Sequence, residues 1–195
     1  MTRLLLVRHG ESEWNAEGRW QGHADPPLTR LGETQAEAAV LPFPVSAIWS
    51  SPLVRARRTA EIIGGVIGIE AHVDARLQER DAGDWTGLTR AEIDERWPGY
   101  LARRMRPDNF EPDPPIAARA LEVLDEIARQ GSDGVLVVSH GGLIRVVERV
   151  FDAHDPPVPN LGGRELVRDG ASWVMGERVL LLDGHRFDVT VTDLV

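Results

Sequence analysis

The sequence predicts an open α/β sandwich, mostly parallel, with ligands gathered at the carboxyl ends of its strands. Three observations carry that prediction. Short apolar runs of strand length alternate along the chain with segments of helical periodicity. Two of those runs, "LLLVRHG" at residues 4–10 and "VLVVSHGG" at residues 135–142, share one plan: four apolar residues, a polar residue, histidine and glycine. At 195 residues the chain is most simply one domain, 1–195, large enough to bury a substantial core.

The elements follow in order. Arg3 to His9 reads as a buried strand. Leu28 to Leu41 reads as a helix with Thr29 as its N-cap and Gly32 tolerated inside it. Val45 to Ser51 is a second strand, and Pro52 to Gly68 a second helix with proline near its start. "IEAHVD" makes a short third strand, and an Asp- and Gly-rich loop leads to a helix from about Thr89 to Trp97. Residues 98–115 hold five prolines and a glycine, which predicts an irregular excursion, so residues 80–115 are expected to form a small cap. The helix from Ile116 to Gln130 sets Ile116, Ala120, Leu124 and Ile127 on one stripe. "GVLVVSH" is a strong buried strand with a helix, "GGLIRVVERVF", directly behind it. "DPPVPNLGG" reads as a loop, "ASWVMGERVLLLDG" as a hairpin turning at Met175 to Glu177, and "RFDVTVTDLV" as a final strand.

Composition narrows the function. The formal charge is −9, and all 22 basic residues are arginine. An acidic chain repels nucleic acid and anionic membrane at long range, so neither is expected as a partner. A small phosphorylated metabolite is different, because screening over roughly 8 Å lets a few local arginines outweigh the global sign. The absence of lysine excludes a Walker P-loop and Schiff-base chemistry. There is no cysteine, so disulfides and thiolate zinc sites are excluded, which suits a reducing compartment. No stretch approaches the ~18 apolar residues of a membrane span, and Leu4 to Val7 is too short for a signal peptide. The chain is expected to be soluble and cytoplasmic; nothing in it specifies an oligomeric state.

In a parallel sheet His9 and His140 would emerge at one carboxyl edge, where sites form. Their glycines allow close backbone approach, and the helix turns that follow would aim N–H groups at a ligand. Two imidazoles, Arg8 and helix N-termini favour an anion, and phosphate fits best. "SSPLVRARRTA" starts at another strand end and places Arg55 in a first helical turn beside the same edge, with Arg58 as the next candidate. A solvated arginine-rich face is the alternative for that run. Trp14, Trp20, Trp85 and Trp97 would line a pocket or pack a core. His23, His72, His154 and His185 have no metal-ligand spacing.

"VRHGESEWNAEGRWQGHADPPLTRLGETQA", "SSPLVRARRTA", "LQERDAGDWTGLT" and "VVSHGG", in this order, resemble the histidine phosphatase superfamily, the phosphoglycerate mutase-like family, from Leu4 to about Val150. The resemblance implies a three-layer α/β/α sandwich with helices on both faces of a mostly parallel sheet. It implies His9 as the nucleophile that becomes phosphohistidine, Arg8, Arg55 and His140 as binders of the phosphoryl oxygens, and Glu79 as proton donor. Asn15 falls at a polar phosphate-pocket position, and Gly141 adjoins His140. No metal and no cofactor is implied. "RDAGDWTGLT" is closer to the phosphatase pattern than to the mutase form, and the segment between Glu79 and His140 is compact; both imply a phosphomonoesterase. Mutase-type transfer is the alternative: Arg103 and Arg104 fall where mutases carry a carboxylate clamp, and Arg90 where they carry lysine. The Gly-Glu-Ser turn common in the phosphatases is replaced by "PDPPIAAR". Two further readings are an inactive phospho-ligand-binding protein and a serine hydrolase using Ser139, Asp183 and His185, although position 137 is valine where a nucleophile elbow has glycine.

Overall fold

The computed structural model describes residues 1–153 and 156–182. The strand expected at 186–195, and Asp183, His185 and His154, lie outside the described residues. A six-stranded sheet forms the middle layer, in the order β3-β2-β4-β1-β5-β6. Its strands are β1 (Thr2–Arg8), β2 (Ala47–Ser50), β3 (Ala71–Val73), β4 (Val135–Ser139), β5 (Gly162–Asp169) and β6 (Ser172–Leu180). The first four run parallel to one another, while β5 is antiparallel to both β1 and β6.

The helices are α1 (Glu13–Ala16), α2 (Arg30–Glu37), α3 (Val54–Ile67), α4 (Arg90–Arg96), α5 (Asp113–Arg129) and α6 (Gly141–Val150). Side chains alternate across a strand, so a run buried throughout feeds two cores. Leu4, Leu6, Val135 and Val137 pack with Ile116, Leu124 and Ile127 of α5 and Leu143 and Val147 of α6. Leu5, Val7, Leu136 and Val138 pack with Ala36 of α2 and Ala56, Ala60 and Ile63 of α3. That gives the three-layer α/β/α arrangement, and each fully buried Leu or Val contributes about 1.5–3 kcal/mol. A third cluster, Trp20, Ala82, Trp85, Leu88, Ile93 and Phe110, binds together the 80–110 segment, with Trp20 edge-on to Trp85 at 5.1 Å between ring centroids.

Local chemistry sets the ends. Thr29 caps α2 by accepting the Gly32 N–H, and Gly68 closes α3 at φ 76°, a left-handed conformation that favours glycine. Gly32 is required rather than tolerated: a Cβ there would collide with the Glu11 carbonyl oxygen, and one at Gly10 would sit 2.6 Å from the Gly32 carbonyl oxygen. This tight approach pins the loop after β1 onto α2.

Three expectations are corrected. The α5 helix starts at Asp113, because Pro114 and Pro115 occupy a first turn whose N–H groups have no acceptor in any case. Gly162 and Gly163, read as the end of a loop, open strand β5, which continues through residues 164–169, for which the sequence predicts no element. The hairpin turns at Gly170 and Ala171, with Gly170 at φ 58°, and Met175 to Glu177 lie inside β6 where the register slips opposite Arg164 to Leu166. The turn-like "MGE" is a bulge.

Candidate active site

Register brings the two histidines together. Arg8 at the end of β1 is level with Ser139 at the end of β4, and the His9 N–H donates to the Ser139 carbonyl at 3.0 Å. The next residues on the two strands are therefore neighbours, with ring centroids 5.2 Å apart and the rings nearly edge to face. Both rings are buried.

His9 is held in one tautomer. Its Nδ1 lies 2.6 Å from the Gly10 carbonyl oxygen, which only accepts, so Nδ1 carries the proton and Nε2 the free lone pair. Burial, then the charges of Arg55 and Arg8, push its pKa well below the usual histidine value, so the ring is neutral at pH 7. The ring of His140 is likewise depressed, first by burial and then by Arg55. Its Nε2 lies 2.8 Å from Ser51 Oγ, and its Nδ1 is buried without a partner among the described residues.

The arginines are oriented by neutral backbone acceptors and have no salt bridge among the described residues. Arg8 Nη1 donates to the Val158 carbonyl at 2.8 Å. Arg55 is 1% exposed, with Nη1 and Nη2 donating to the carbonyls of Ala24 and Gly22. Burial draws both pKa values down to about 10, and Glu79 partly offsets it, so both remain cations at pH 7. Arg58 is not part of this group; it pairs on the surface with Glu33 and Glu61, as Arg57 does with Glu61. One member of the run is buried at the site and the other two form a solvated face.

Glu79 stands across the cavity at the start of α6. Its carboxylate accepts the N–H groups of Gly142 at 2.9 Å, Leu143 at 3.1 Å and Arg80 at 2.8 Å. Two N–H groups that the sequence reading aimed at a ligand are thus taken by Glu79. A Cβ at Gly142 would overlap Glu79 Oε1, whereas one at Gly141 would make ordinary contact with the Arg8 side chain. Asn15 Oδ1 receives the Ser12 N–H and hydroxyl, and Asn15 lines the cavity.

One cavity of about 720 Å³ takes in Arg8, His9, Asn15, Arg55, Glu79 and Gly141, with Trp20 and Gln21 on its wall. Arg104 lines it and Arg103 does not; the Arg103 guanidinium lies beside Gly99. Trp85 belongs to the cap core and Trp97 packs at its edge. The Ser139 hydroxyl donates to the Leu77 carbonyl at 2.8 Å.

The sequence reading missed Ser51, Asn160, Gln21 and His23. Asn160 is 2% exposed and donates to the His9 carbonyl at 2.9 Å, and the His23 Nε2–H donates to the Glu79 carbonyl at 2.7 Å. For Ser51 a signal existed in the second serine of "SSPL" at a strand end; for Asn160, 151 positions from His9, none did.

Paired histidines at adjoining parallel strand ends, buried arginines and a facing carboxylate converge at the carboxyl edge of the sheet, where α/β enzymes bind their ligands. The chain belongs to the histidine phosphatase superfamily (branch 1), whose model matches residues 4–162. It is 37% identical over 191 residues to the glucosyl-3-phosphoglycerate phosphatase of Mycolicibacterium vanbaalenii, covering 88% of this chain and 82% of that protein. It is 34% identical over 176 residues to a 2,3-bisphosphoglycerate-dependent phosphoglycerate mutase of Methylocella silvestris, covering 80% and 84%. Among solved structures, the mycobacterial glucosyl-3-phosphoglycerate phosphatase Rv2419c with VO3 matches at a TM-score of 0.81 and 31% identity, covering 94% of this chain and all of that one. Bacillus stearothermophilus YhfR matches at 0.81 and 30%, covering 99% and 100%.

Proposed function

We propose that the chain is a metal-independent phosphomonoesterase acting on a small phosphate ester through a phosphohistidine at His9. The observation that carries this reading is the single free lone pair of His9 Nε2, presented beside two cations in a site that Glu79 faces. Nε2 attacks phosphorus, the P–O bond to the alcohol breaks, and the leaving oxygen takes a proton from the Glu79 carboxyl. The Glu79 carboxylate then takes a proton from water, whose oxygen attacks phosphorus as the P–N bond breaks. Phosphate departs and His9 is neutral again. Arg8, Arg55 and His140 hold the three peripheral oxygens, which supplies the electrostatic part of catalysis. For His140 we assign the ring proton to Nδ1: Ser51 Oγ accepts the Leu53 N–H and gives its own hydrogen to Nε2.

We further infer that residues 1–195 work as one cytoplasmic domain with 80–115 as its cap, and that the substrate is an ester of the sugar-phosphate or phosphoglycerate kind on which the relatives named above act. Phosphatase is favoured over mutase because only Arg104 of the Arg103 and Arg104 pair reaches the cavity, so a two-arginine clamp is not assembled. No helix among the described residues is long and apolar enough to cross a membrane. The test is rapid-quench trapping with a labelled ester. An acid-labile, alkali-stable phosphoryl group on His9 that appears and decays at the turnover rate is expected; its absence during active turnover overturns the reading, as does a chelator-sensitive activity for metal independence.

A further inference from the structure

Gly10 follows His9 and supplies the carbonyl that holds the Nδ1 proton of its ring, at 2.6 Å. Glycine is the residue whose backbone is least restrained, so by itself it would let that carbonyl swing away from the ring. Two peptide groups meet at Gly10, and side chains from three separate elements hold them. In the peptide joining His9 to Gly10, the carbonyl accepts the Asn160 Nδ2–H at 2.9 Å and the N–H donates to Thr59 Oγ1 at 3.0 Å. In the peptide joining Gly10 to Glu11, the N–H donates to Gln35 Oε1 at 2.9 Å, which leaves the carbonyl to the His9 ring.

Asn160 precedes β5, Thr59 belongs to α3 and Gln35 to α2, and all three are buried. Their polar atoms have fixed roles. Thr59 gives its own hydrogen to the Arg55 carbonyl at 2.7 Å, so its oxygen faces Gly10 as an acceptor. The His9 carbonyl can only accept, which sets the Asn160 amide with its nitrogen toward it. That orientation leaves Asn160 Oδ1 buried with no partner among the described residues. Buried polar atoms are normally paired, so the donor toward His9 is kept at a cost. Leu161, next in the chain, is wholly buried at φ 55°, a left-handed backbone that leucine rarely adopts. Its N–H donates to the Arg8 carbonyl at 3.1 Å and its carbonyl accepts the Leu181 N–H at 3.0 Å, which seats Asn160 against the end of β1. Such outliers gather at functional sites.

We propose that Asn160, Thr59 and Gln35 are positioning residues that lock the two peptides around Gly10 and, through the Gly10 carbonyl, fix the tautomer and the aim of His9 Nε2. The proposal rests on the phosphatase reading for what Nε2 attacks. None of the three lines the cavity, so their contribution is alignment. In-line attack needs the nitrogen about 3–3.5 Å from phosphorus, and a misplacement of about 1 Å costs about 10²-fold. The lock therefore acts on the rate of phosphoryl transfer to His9 and little on how tightly the arginines hold a phosphate.

Thr59→Val keeps the shape and removes the oxygen, Thr59→Ser keeps the oxygen, and Gln35→Met removes the acceptor of the second peptide. Rapid-quench labelling of His9 and calorimetric affinity for inorganic phosphate are measured on each. Thr59→Val and Gln35→Met are each expected to slow the labelling about 10- to 100-fold while phosphate affinity stays within about threefold of wild type. Thr59→Ser is expected to recover most of the rate. Nitrogen-15 shifts of the His9 ring, read without substrate, should pass from a single Nδ1–H tautomer in the wild type to a mixture in the two slowed variants. A wild-type labelling rate in both, or a rate loss matched by an equal loss of phosphate affinity, overturns the proposal, the second because it marks a collapsed pocket. If the variants do not fold, hydrogen exchange of the wild type decides: the Gly10 and Glu11 amides should exchange at least about 100-fold more slowly than unprotected ones, and exchange at the unprotected rate overturns the lock. Absence of label on His9 in a protein that is turning over sinks the phosphatase reading instead, since the tautomer and exchange readouts need no substrate.

Discussion

The cavity has two ends, and their arginines are held in opposite ways. At the sheet edge, Arg8 and Arg55 are fixed by backbone carbonyls of Val158, Ala24 and Gly22. At the other end, where the cap meets α6, Arg80 and Arg149 are fixed by the carboxylate of Asp113, and Arg145 is not fixed at all among the described residues. A carbonyl orients a guanidinium without cancelling its charge; a carboxylate does both. The sheet edge is therefore a rigid cationic seat, suited to the phosphoryl oxygens of the proposed mechanism, and the other end holds a mixture of ion-paired and unpaired arginines. Rigidity belongs where charge moves in the transition state, because preorganised donors need no rearrangement during reaction.

The largest expected effect removes the proposed nucleophile at the sheet edge. His9→Ala should lower kcat by at least about 10⁴-fold, since the proposed covalent route loses its nucleophile. Steady-state hydrolysis of p-nitrophenyl phosphate reads this directly, and activity within tenfold of wild type would remove His9 from the mechanism. Next in size is the seat of Glu79. A methyl group at Gly142 would overlap Glu79 Oε1, so Gly142→Ala displaces the carboxyl without altering its chemistry. General acid catalysis contributes about 10²–10⁴-fold. The loss should approach that range for alkyl phosphates, whose leaving oxygen needs a proton, and be several-fold smaller for p-nitrophenyl phosphate, whose leaving group does not. An equal loss on both substrates would mean that Gly142 matters only for packing.

These two residues also show what the sequence made legible. The ends of β1 and β4 could be read because each is a local signal: an apolar run, then a charged or polar residue, imidazole and glycine. Their shared carboxyl edge followed from the parallel sheet, whereas their adjacency needed the strand order, which sets β4 beside β1. The strand β5 could not be read, because one of its inward positions is Arg164, whose burial against Glu148 of α6 replaces the apolar alternation a strand normally shows. Gly142 was hidden behind Gly141, since only the approach of Glu79 from 63 positions away tells them apart. The same holds for Gly32 against Glu11. Arg145 looked like any charged residue on an amphipathic helix until its neighbours could be seen to leave it unpaired.

A smaller effect is expected at Ser51. If its hydroxyl fixes the His140 tautomer, Ser51→Ala should lower kcat about 10- to 100-fold, the range for partners that orient a functional imidazole. Ser51→Thr should restore most of it. Chemical-shift assignment of the His140 ring nitrogens gives a separate readout: loss of the single Nδ1–H tautomer is expected in Ser51→Ala, and an unchanged ring spectrum would reduce Ser51 to a packing residue.

The smallest effect compares the two buried rings with the unfolded chain. His9 and His140 both have folded pKa values below the ordinary 6.5, with burial as the first cause. The unfolded chain therefore binds protons in a range where the folded chain does not, and stability must rise with pH there. The contribution is fully present above about 6.5 and is lost progressively as pH falls from that value toward the folded pKa values. Each histidine that stays neutral in the fold costs at most about 1.4 kcal/mol per pH unit below 6.5. Urea unfolding at pH 7.5 and 5.5 should thus show the protein less stable at the lower pH, by roughly 1–3 kcal/mol. His140→Asn should shrink that difference by about half, because one of the two rings has been removed. Phosphate binding works against this depression, since an anion at the sheet edge favours a charged imidazole in the folded protein. The pH difference should consequently narrow in saturating phosphate, and a difference indifferent to both the substitution and the anion would place its origin outside the two strand ends.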